Sequence, residues 1–234
     1  MKKTLWIAIV GALAASVIAA SAQEVLSANA VGYIKKTLPP AGKIISVSIP
    51  LNNMSEASNV FGRTSIGQEA PEGTYVYFWN ESNQIWQGSV KRASPKFWQP
   101  RESNHVVLAG EGFFLKSSVT QAVEREVTIT GEVPDDPSLT RYVIGSNNIA
   151  TLANPFPVDM KFGTSSIASN ATVGSYVYFW NTSNQIWQGS AKRASPKFWQ
   201  PRESNTVVLA AEGFFMKEVS NVTSWVGTKP YTWP

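Results

Sequence analysis

The residues best suited to recognition sit in a string that occurs twice. Lys91 to Arg101 reads KRASPKFWQPR, with four cations, no acid, two prolines and the pair Phe97-Trp98, and Lys192 to Arg202 repeats it without a change. Flat rings interleaved with positive charge suit an anionic polymer that carries rings of its own, either an acidic polysaccharide or a single-stranded nucleic acid. A proline-broken connection of this length inside a compact domain is more often functional than idle. The competing structural account is a solvated loop whose Phe97 and Trp98 plug the end of a barrel while its lysines confer solubility.

Each string follows a hairpin of alternating aromatic residues, Tyr75 to Asn80 and Tyr176 to Asn181. A turn across Asn80 to Asn83 would set Trp79 opposite Gln84, Phe78 opposite Ile85 and Tyr77 opposite Trp86. Strand alternation then places Tyr75, Tyr77, Trp79 and Trp86 on one face and Val76, Phe78 and Ile85 on the other. The second copy gives Tyr176, Tyr178, Trp180 and Trp187 against Val177, Phe179 and Ile186. The aliphatic face reads as core. The aromatic face is either a stacking platform for sugar rings, with Asn80, Gln84 and Gln87 bonding hydroxyls, or a surface buried by a second sheet or by the other copy. Candidate ligand-binding residues are therefore Tyr77, Trp79, Trp86, Lys91, Arg92, Lys96, Trp98 and Arg101, with Tyr178, Trp180, Trp187, Lys192, Arg193, Lys197, Trp199 and Arg202 as their counterparts.

Other chemistry finds little support in the residue types. There is no cysteine, which excludes disulfides, thiolate metal sites and a cysteine nucleophile. The single histidine, His105, is replaced by Thr206 in the second copy, so it belongs to no function the copies share. Glu111 and Glu212 follow a turn glycine or alanine and precede a buried strand, a structural setting. A glycosidase pair with Glu102 and Glu203 is the weaker alternative, since carboxylate pairs are common by chance. Asp135-Asp136 stands alone without calcium-loop spacing, and no phosphate-cradling loop or nucleophile elbow occurs. The expectation is a protein that is not an enzyme, with no cofactor and no metal.

The elements that must hold these residues come from a duplication. Tyr75 to Lys116 recurs as Tyr176 to Lys217 at an offset of 101, with 37 of 42 positions identical. Phe61 to Thr74 aligns more weakly with Phe162 to Ser175, and earlier still Ser48 to Leu51 matches Ala153 to Phe156 at an offset of 105. Local gene conversion and a demand that both copies keep one surface are two readings of the jump in identity near residue 75. Short runs rich in Val, Ile, Tyr, Phe and Trp, separated by Gly, Pro, Asn and Ser, predict strands over 30–37, 43–49, 75–80, 84–90, 106–109, 112–117 and 126–133 and their counterparts, with no amphipathic helix. The fold class is all-β: two tandem antiparallel β-sandwich or barrel-like repeats of about 100 residues, or one pseudo-symmetric unit. Pro134 to Pro137 marks the boundary, giving a leader over 1–22, a first repeat over 23–134 and a second over 135–234.

The leader has Lys2 and Lys3, an apolar run from Leu5 to Ala20 and the small-x-small site Ala20-Ser21-Ala22, the pattern of a removable secretory signal. No later segment is long and apolar enough for a bilayer span. Removing the leader lowers the net charge from +4 to +2. Tyr75 to Lys116 carries +2 and Tyr176 to Lys217 carries +3, leaving −3 for the rest, so the basic charge is concentrated in the repeated segments.

Ala30-Val-Gly-Tyr33, Asn154-Pro-Phe156, the Tyr-Val-Tyr-Phe-Trp hairpin, Gly110-Glu-Gly-Phe-Phe114 and Thr130-Gly-Glu-Val133 follow one another in an order that resembles a group of uncharacterised exported two-repeat β-proteins of the verrucomicrobial and planctomycete type. The resemblance covers nearly all of the chain after the leader. It implies secretion and a β-rich duplicated fold and supplies no catalytic residues. Members often end in a cell-surface sorting tail, which Tyr231 to Pro234 does not resemble. The resulting expectation is a secreted, periplasmic or cell-surface binding protein for carbohydrate, with export favouring acidic polysaccharide over nucleic acid. The main rival is a structural or cell-envelope assembly protein that self-associates through the same aromatic faces. An outer-membrane barrel is a distant third, because basic proline-rich loops interrupt the strands.

Overall fold

Period-two alternation decides most of the architecture. In a computed structural model the described residues are 30–93, 98–99, 104–143, 147–194, 199–200, 205–220 and 223–232. The leader lies outside them. The first repeat comprises β1 (Val31–Leu38), β2 (Ile44–Ser48), β3 (Asn59–Val60), α1 (Ser65–Glu69), β4 (Tyr75–Asn80), β5 (Ile85–Lys91), β6 (Trp98–Gln99), β7 (Val106–Val107), β8 (Gly112–Lys116) and β9 (Arg125–Glu132). The second repeats the series as β10 (Ser138–Val143), β11 (Ile149–Ala153), β12 (Met160–Lys161), α2 (Ser166–Asn170), β13 (Tyr176–Asn181), β14 (Ile186–Lys192), β15 (Trp199–Gln200), β16 (Val207–Val208), β17 (Gly213–Lys217) and β18 (Thr223–Thr228). Two five-stranded antiparallel sheets result, ordered β2-β8-β4-β5-β6 and β11-β17-β13-β14-β15, with two-stranded ladders β1-β9, β10-β18, β3-β7 and β12-β16. The all-β reading therefore holds. The described strands do not close into a barrel.

The two short helices correct the expectation of none. Each is five residues long, too short to establish a 3.6-residue period in sequence. Thr64 and Ser165 cap them, their hydroxyls accepting from the N–H of Gly67 and of Ala168 at 3.3 Å. In the first repeat α1 also closes the edge of β9, since Glu69 and Ser65 accept from the N–H groups of Thr128 and Thr130. Among the described residues no helix is long and apolar enough to cross a membrane.

Each repeat has its own apolar core on the aliphatic face of its large sheet. Phe61 lies edge-on to Phe78, Trp98 and Phe113 with ring centroids 5.0 to 5.5 Å apart, and Phe162 lies likewise against Phe179, Trp199 and Phe214 at 5.1 to 5.6 Å. Val76, Leu115, Val127 and Ile129 complete the first core, and Leu152, Val177, Met216 and Trp225 the second.

The aromatic faces of the two sheets meet each other. Phe114 and Phe215 touch at 5.6 Å, Trp86 and Trp187 each contact both of them, and Trp79 reaches Phe215 as Trp180 reaches Phe114. Close approach depends on two glycines. A Cβ on Gly112 would lie 2.8 Å from the Leu152 carbonyl, and one on Gly213 would lie 3.0 Å from the Gly112 Cα. Backbone bonds then cross the seam in a matched pair, Ser48 N–H to the Ala211 carbonyl at 3.1 Å and Ala153 N–H to the Gly110 carbonyl at 2.9 Å.

The hairpin tips lock this seam reciprocally. The observed register pairs Trp79 with Trp86 and Asn80 with Ile85, two residues from the expected pairing, so face assignments survive while the turn moves to Glu81 to Gln84. Ile85 and Ile186 consequently lie beyond the core, half exposed at the tips. Gln84 and Gln185, expected to bond sugar hydroxyls, have φ of +54° and +55°. The Gln84 amide accepts from Ile149 N–H at 2.7 Å and donates to the Ile149 carbonyl at 3.1 Å; Gln185 grips Ile44 in the same way at 2.7 and 2.9 Å. Trp79 and Trp180 add indole bonds to those carbonyls at 2.7 and 2.9 Å.

Removing one amide leaves the Ile149 N–H without its acceptor, a loss of about 1–2 kcal/mol. Gln84→Ala should lower the thermal midpoint by about 2–6 °C. Gln84→Gly removes the same bonds but relieves the left-handed backbone, so it should destabilise less than alanine. A glycine variant more stable than wild type in calorimetry would show that the amide contributes nothing.

Candidate functional site

Strand alternation and one glycine per hairpin build the exposed part of the aromatic face. Tyr75 and Tyr77 lie two apart on β4 with ring centroids at 6.2 Å and planes within 10°; Tyr176 and Tyr178 match them at 6.2 Å and 13°. Tyr77 pairs across the ladder with Gly88, and a Cβ there would meet the tyrosine ring at 2.8 Å. The glycine is thus what allows the ring to lie over β5. Gly189 serves Tyr178 in the same way.

Around the tyrosines runs an open groove of about 890 Å³, whose lining includes Glu72, Tyr75, Tyr77, Arg92, Gln99 and Lys116. Arg92 is exposed, and the Lys116 ammonium stands 5.8 Å from the centre of the Tyr75 ring. Burial, reinforced by Tyr75, pushes the Tyr77 hydroxyl above the usual tyrosine range, and burial with Tyr176 does the same for Tyr178. Both remain neutral donors and acceptors at physiological pH. Sequence reasoning singled out Tyr77, Tyr178, Arg92 and Arg193 but left Lys116 and Lys217 aside. Lys116 sits directly opposite Tyr75 in the β4-β8 register, a pairing that the spacing of a single hairpin could not reveal.

Four other candidates turn inward. Lys91 and Lys192 are buried. The Lys91 ammonium donates to the Gly67 carbonyl at 2.8 Å and to that of Gln68, and Lys192 donates to Ala168 and Ser169 at 2.8 and 2.6 Å. Burial pulls both lysines below their ordinary pKa, with Glu72 and Glu218 opposing it respectively. Trp98 and Trp199 are core residues, their indoles donating to Gly67 and Ala168 at 2.9 and 3.4 Å. The alternation across β5 and β6 explains the correction, because Lys91 is paired with Trp98 and both project toward the short helix. Lys96, Arg101, Lys197 and Arg202 lie outside the described residues, as do Phe97, Glu102 and Glu203.

The tryptophan face divides. Trp79 and Trp180 are half-buried in the seam, whereas Trp86 and Trp187 each remain 39% exposed. With Ile44, Tyr77, Phe114 and Trp180 these two line a cleft of about 290 Å³.

Glu111 and Glu212 hold their own turns, accepting from the N–H groups of Leu108 and Leu209 at 2.9 and 3.1 Å, close to charged groups at the join between repeats. Lys36 and Arg141 occupy equivalent places, opposite Val127 on β9 and Trp225 on β18. Arg141 pairs with Glu81 near Glu111, and Lys36 faces Glu212 and Asp159. Burial raises Glu81 and Glu212 above the usual carboxylate range, opposed in part by Arg141 at Glu81 and by the Leu209 N–H and Lys36 at Glu212. His105 bonds Glu111 at 2.9 Å and stacks on Phe78 at 3.9 Å. Among the described residues no group of His, Asp and Glu could hold a metal ion.

Glu218 stands where the first repeat has Ser117, beside Ser175 just before β13. Burial raises its pKa, yet hydrogen bonds from Ser175, Ser220 and Thr172 outweigh this and leave it below the usual carboxylate value. Its bonds therefore contribute stability above about pH 4.5 and lose it as pH falls through the lower folded-state pKa. In urea titrations Glu218→Gln should be less stable than wild type at neutral pH, with the gap closing as pH falls below about 4.5. A gap of constant size across that range would refute the assignment.

No known family model, curated protein or solved structure matches the chain.

Proposed function

We propose that the chain is an exported, non-enzymatic binding protein for acidic carbohydrate, through the basic tyrosine groove of the first repeat and the matching tyrosine pair of the second. The observation that carries this reading is the parallel Tyr75 and Tyr77 pair flanked by Arg92, Lys116 and Gln99. Flat rings offer stacking surface for the C–H face of a sugar, the two cations suit a carboxylate or sulfate, and the amide and phenols suit hydroxyls. The pattern of residues 1–22 and the resemblance to exported two-repeat proteins favour polysaccharide over nucleic acid. Single contacts of this kind are weak, and two like tyrosine pairs in one molecule gain affinity on a repeating polymer through local concentration. The envelope-assembly reading has less support, because the aromatic faces it would use are largely engaged with each other within the chain.

Calorimetric titration with polygalacturonate tests the proposal. Affinity should fall as sodium chloride rises from about 0.05 to about 0.5 M. Replacing Arg92, Lys116, Arg193 and Lys217 together by glutamine should weaken binding by at least about ten-fold with the circular dichroism spectrum retained. Lys91→Met should act on stability instead, since its ammonium is spent on backbone carbonyls. Equal binding by wild type and the folded quadruple variant would sink the reading.

A further inference from the structure

The groove and the seam cleft share a wall. Tyr77 lines both, so a ligand lying along Tyr75 and Tyr77 meets the cleft at its next step. Their chemistry differs sharply. The groove offers Arg92 and Lys116, whereas the described lining of the cleft is Ile44, Tyr77, Phe114 and the indoles of Trp86, Trp180 and Trp187, with no charged side chain. On the Ile44 side the polar groups are engaged: the Trp180 indole N–H and the Gln185 amide both bond the Ile44 carbonyl. A carboxylate entering the cleft would lose water and meet no cation, with the Tyr77 hydroxyl to offset the loss, a penalty much larger than the one an uncharged ring incurs. At about 290 Å³ the space is at the small end for a ligand pocket, suited to a single ring more than to a chain segment. Its mouth is open, since Trp86 and Trp187 keep two-fifths of their surface in solvent.

We infer that the cleft is a subsite for an uncharged sugar ring, adjoining the acidic unit held in the groove. The inference rests on the carbohydrate reading above and narrows it: the ligand is a saccharide in which neutral and acidic rings neighbour one another, not a uniformly acidic chain. The neutral ring packs against the indoles, and the Tyr77 hydroxyl, which stays protonated, bonds one of its substituents.

The test compares two oligosaccharides of equal length, one of hyaluronan, where an uncharged N-acetylhexosamine alternates with a uronate, and one of galacturonate, where every ring is charged. Hyaluronan should bind about ten-fold more tightly and should protect indole fluorescence from acrylamide, while the galacturonate oligomer gives little protection. Trp86→Phe combined with Trp187→Phe, which keeps an apolar ring in the seam, should narrow the affinity ratio to less than about two-fold. Equal affinities with equal indole protection overturn the cleft subsite and leave the groove reading standing. Failure of both oligomers to bind overturns the groove reading as well.

Discussion

The arrangement depends on two side-chain amides gripping the outer edge of the two edge strands. Ile44 and Ile149 open the outermost strands of the two sheets, and edge backbone of this kind must find partners elsewhere or remain solvated. Gln84 and Gln185 supply them, each from the hairpin tip of the other repeat, and each adopts a left-handed backbone to do so. A non-glycine residue in that region is uncommon outside Asn and Asp. Its occurrence at both tips, at matching φ, ties the strain to the bond it makes. With the tips fixed, Phe114 and Phe215 come together, and everything on the aromatic face is sorted into what the seam covers and what it leaves in solvent.

That sorting separates recognition from architecture. An aromatic face built for stacking and one built for sheet packing use the same residue types, and here a single face does both. Trp79 and Trp180 are consumed by the seam. Tyr75 and Tyr176, at the opposite end of their strands, stay exposed beside Lys116 and Lys217. The cations divide by the same geometric rule. Lys91 ends β5 on the face that looks toward α1 and terminates its backbone, while Arg92, one residue further, emerges into solvent. Adjacent residues of like charge thus have unlike work, which follows from the two-residue period of a strand.

Much of the fold was legible from sequence, and much of the site was not, for reasons that can be named. Strand positions followed from local alternation: β4, β5, β8 and β9 fall within a residue or so of expectation. The turn did not, because a left-handed Gln84 is unusual enough that Asn80 to Asn83 looked the better turn. The helices α1 and α2 were too short to carry a periodic signal. Most of the site lay beyond reach because it is assembled across strands and across repeats. Lys116 reaches Tyr75 through a ladder between segments about forty residues apart, and the neighbours of Trp86 include Phe215 from the other copy. Face assignment needed only one strand; exposure needed its partner.

The seam also supplies a physical reason for the uneven identity of the repeats. Its contacts are self-complementary in the sense of a two-fold interface: where Gln84 meets Ile149, Gln185 meets Ile44, and where Trp187 meets Phe114, Trp86 meets Phe215. A change to one of these side chains in one copy alone breaks half of a matched set, whereas Gly110 and Ala211, which meet the other repeat through their carbonyls, differ without loss of the bond. Gln84, Trp79, Trp86, Phe114 and Gly112 all lie in the segment with 37 identities in 42 positions, and all are kept in the partner copy. Glu81 and Thr182 show how a departure is absorbed. Glu81 pairs with Arg141, and at the equivalent place in the first repeat stands Lys36, which faces Glu212 and Asp159 instead. The departure therefore comes with its own compensation, since the cation at the equivalent place has other carboxylates to face.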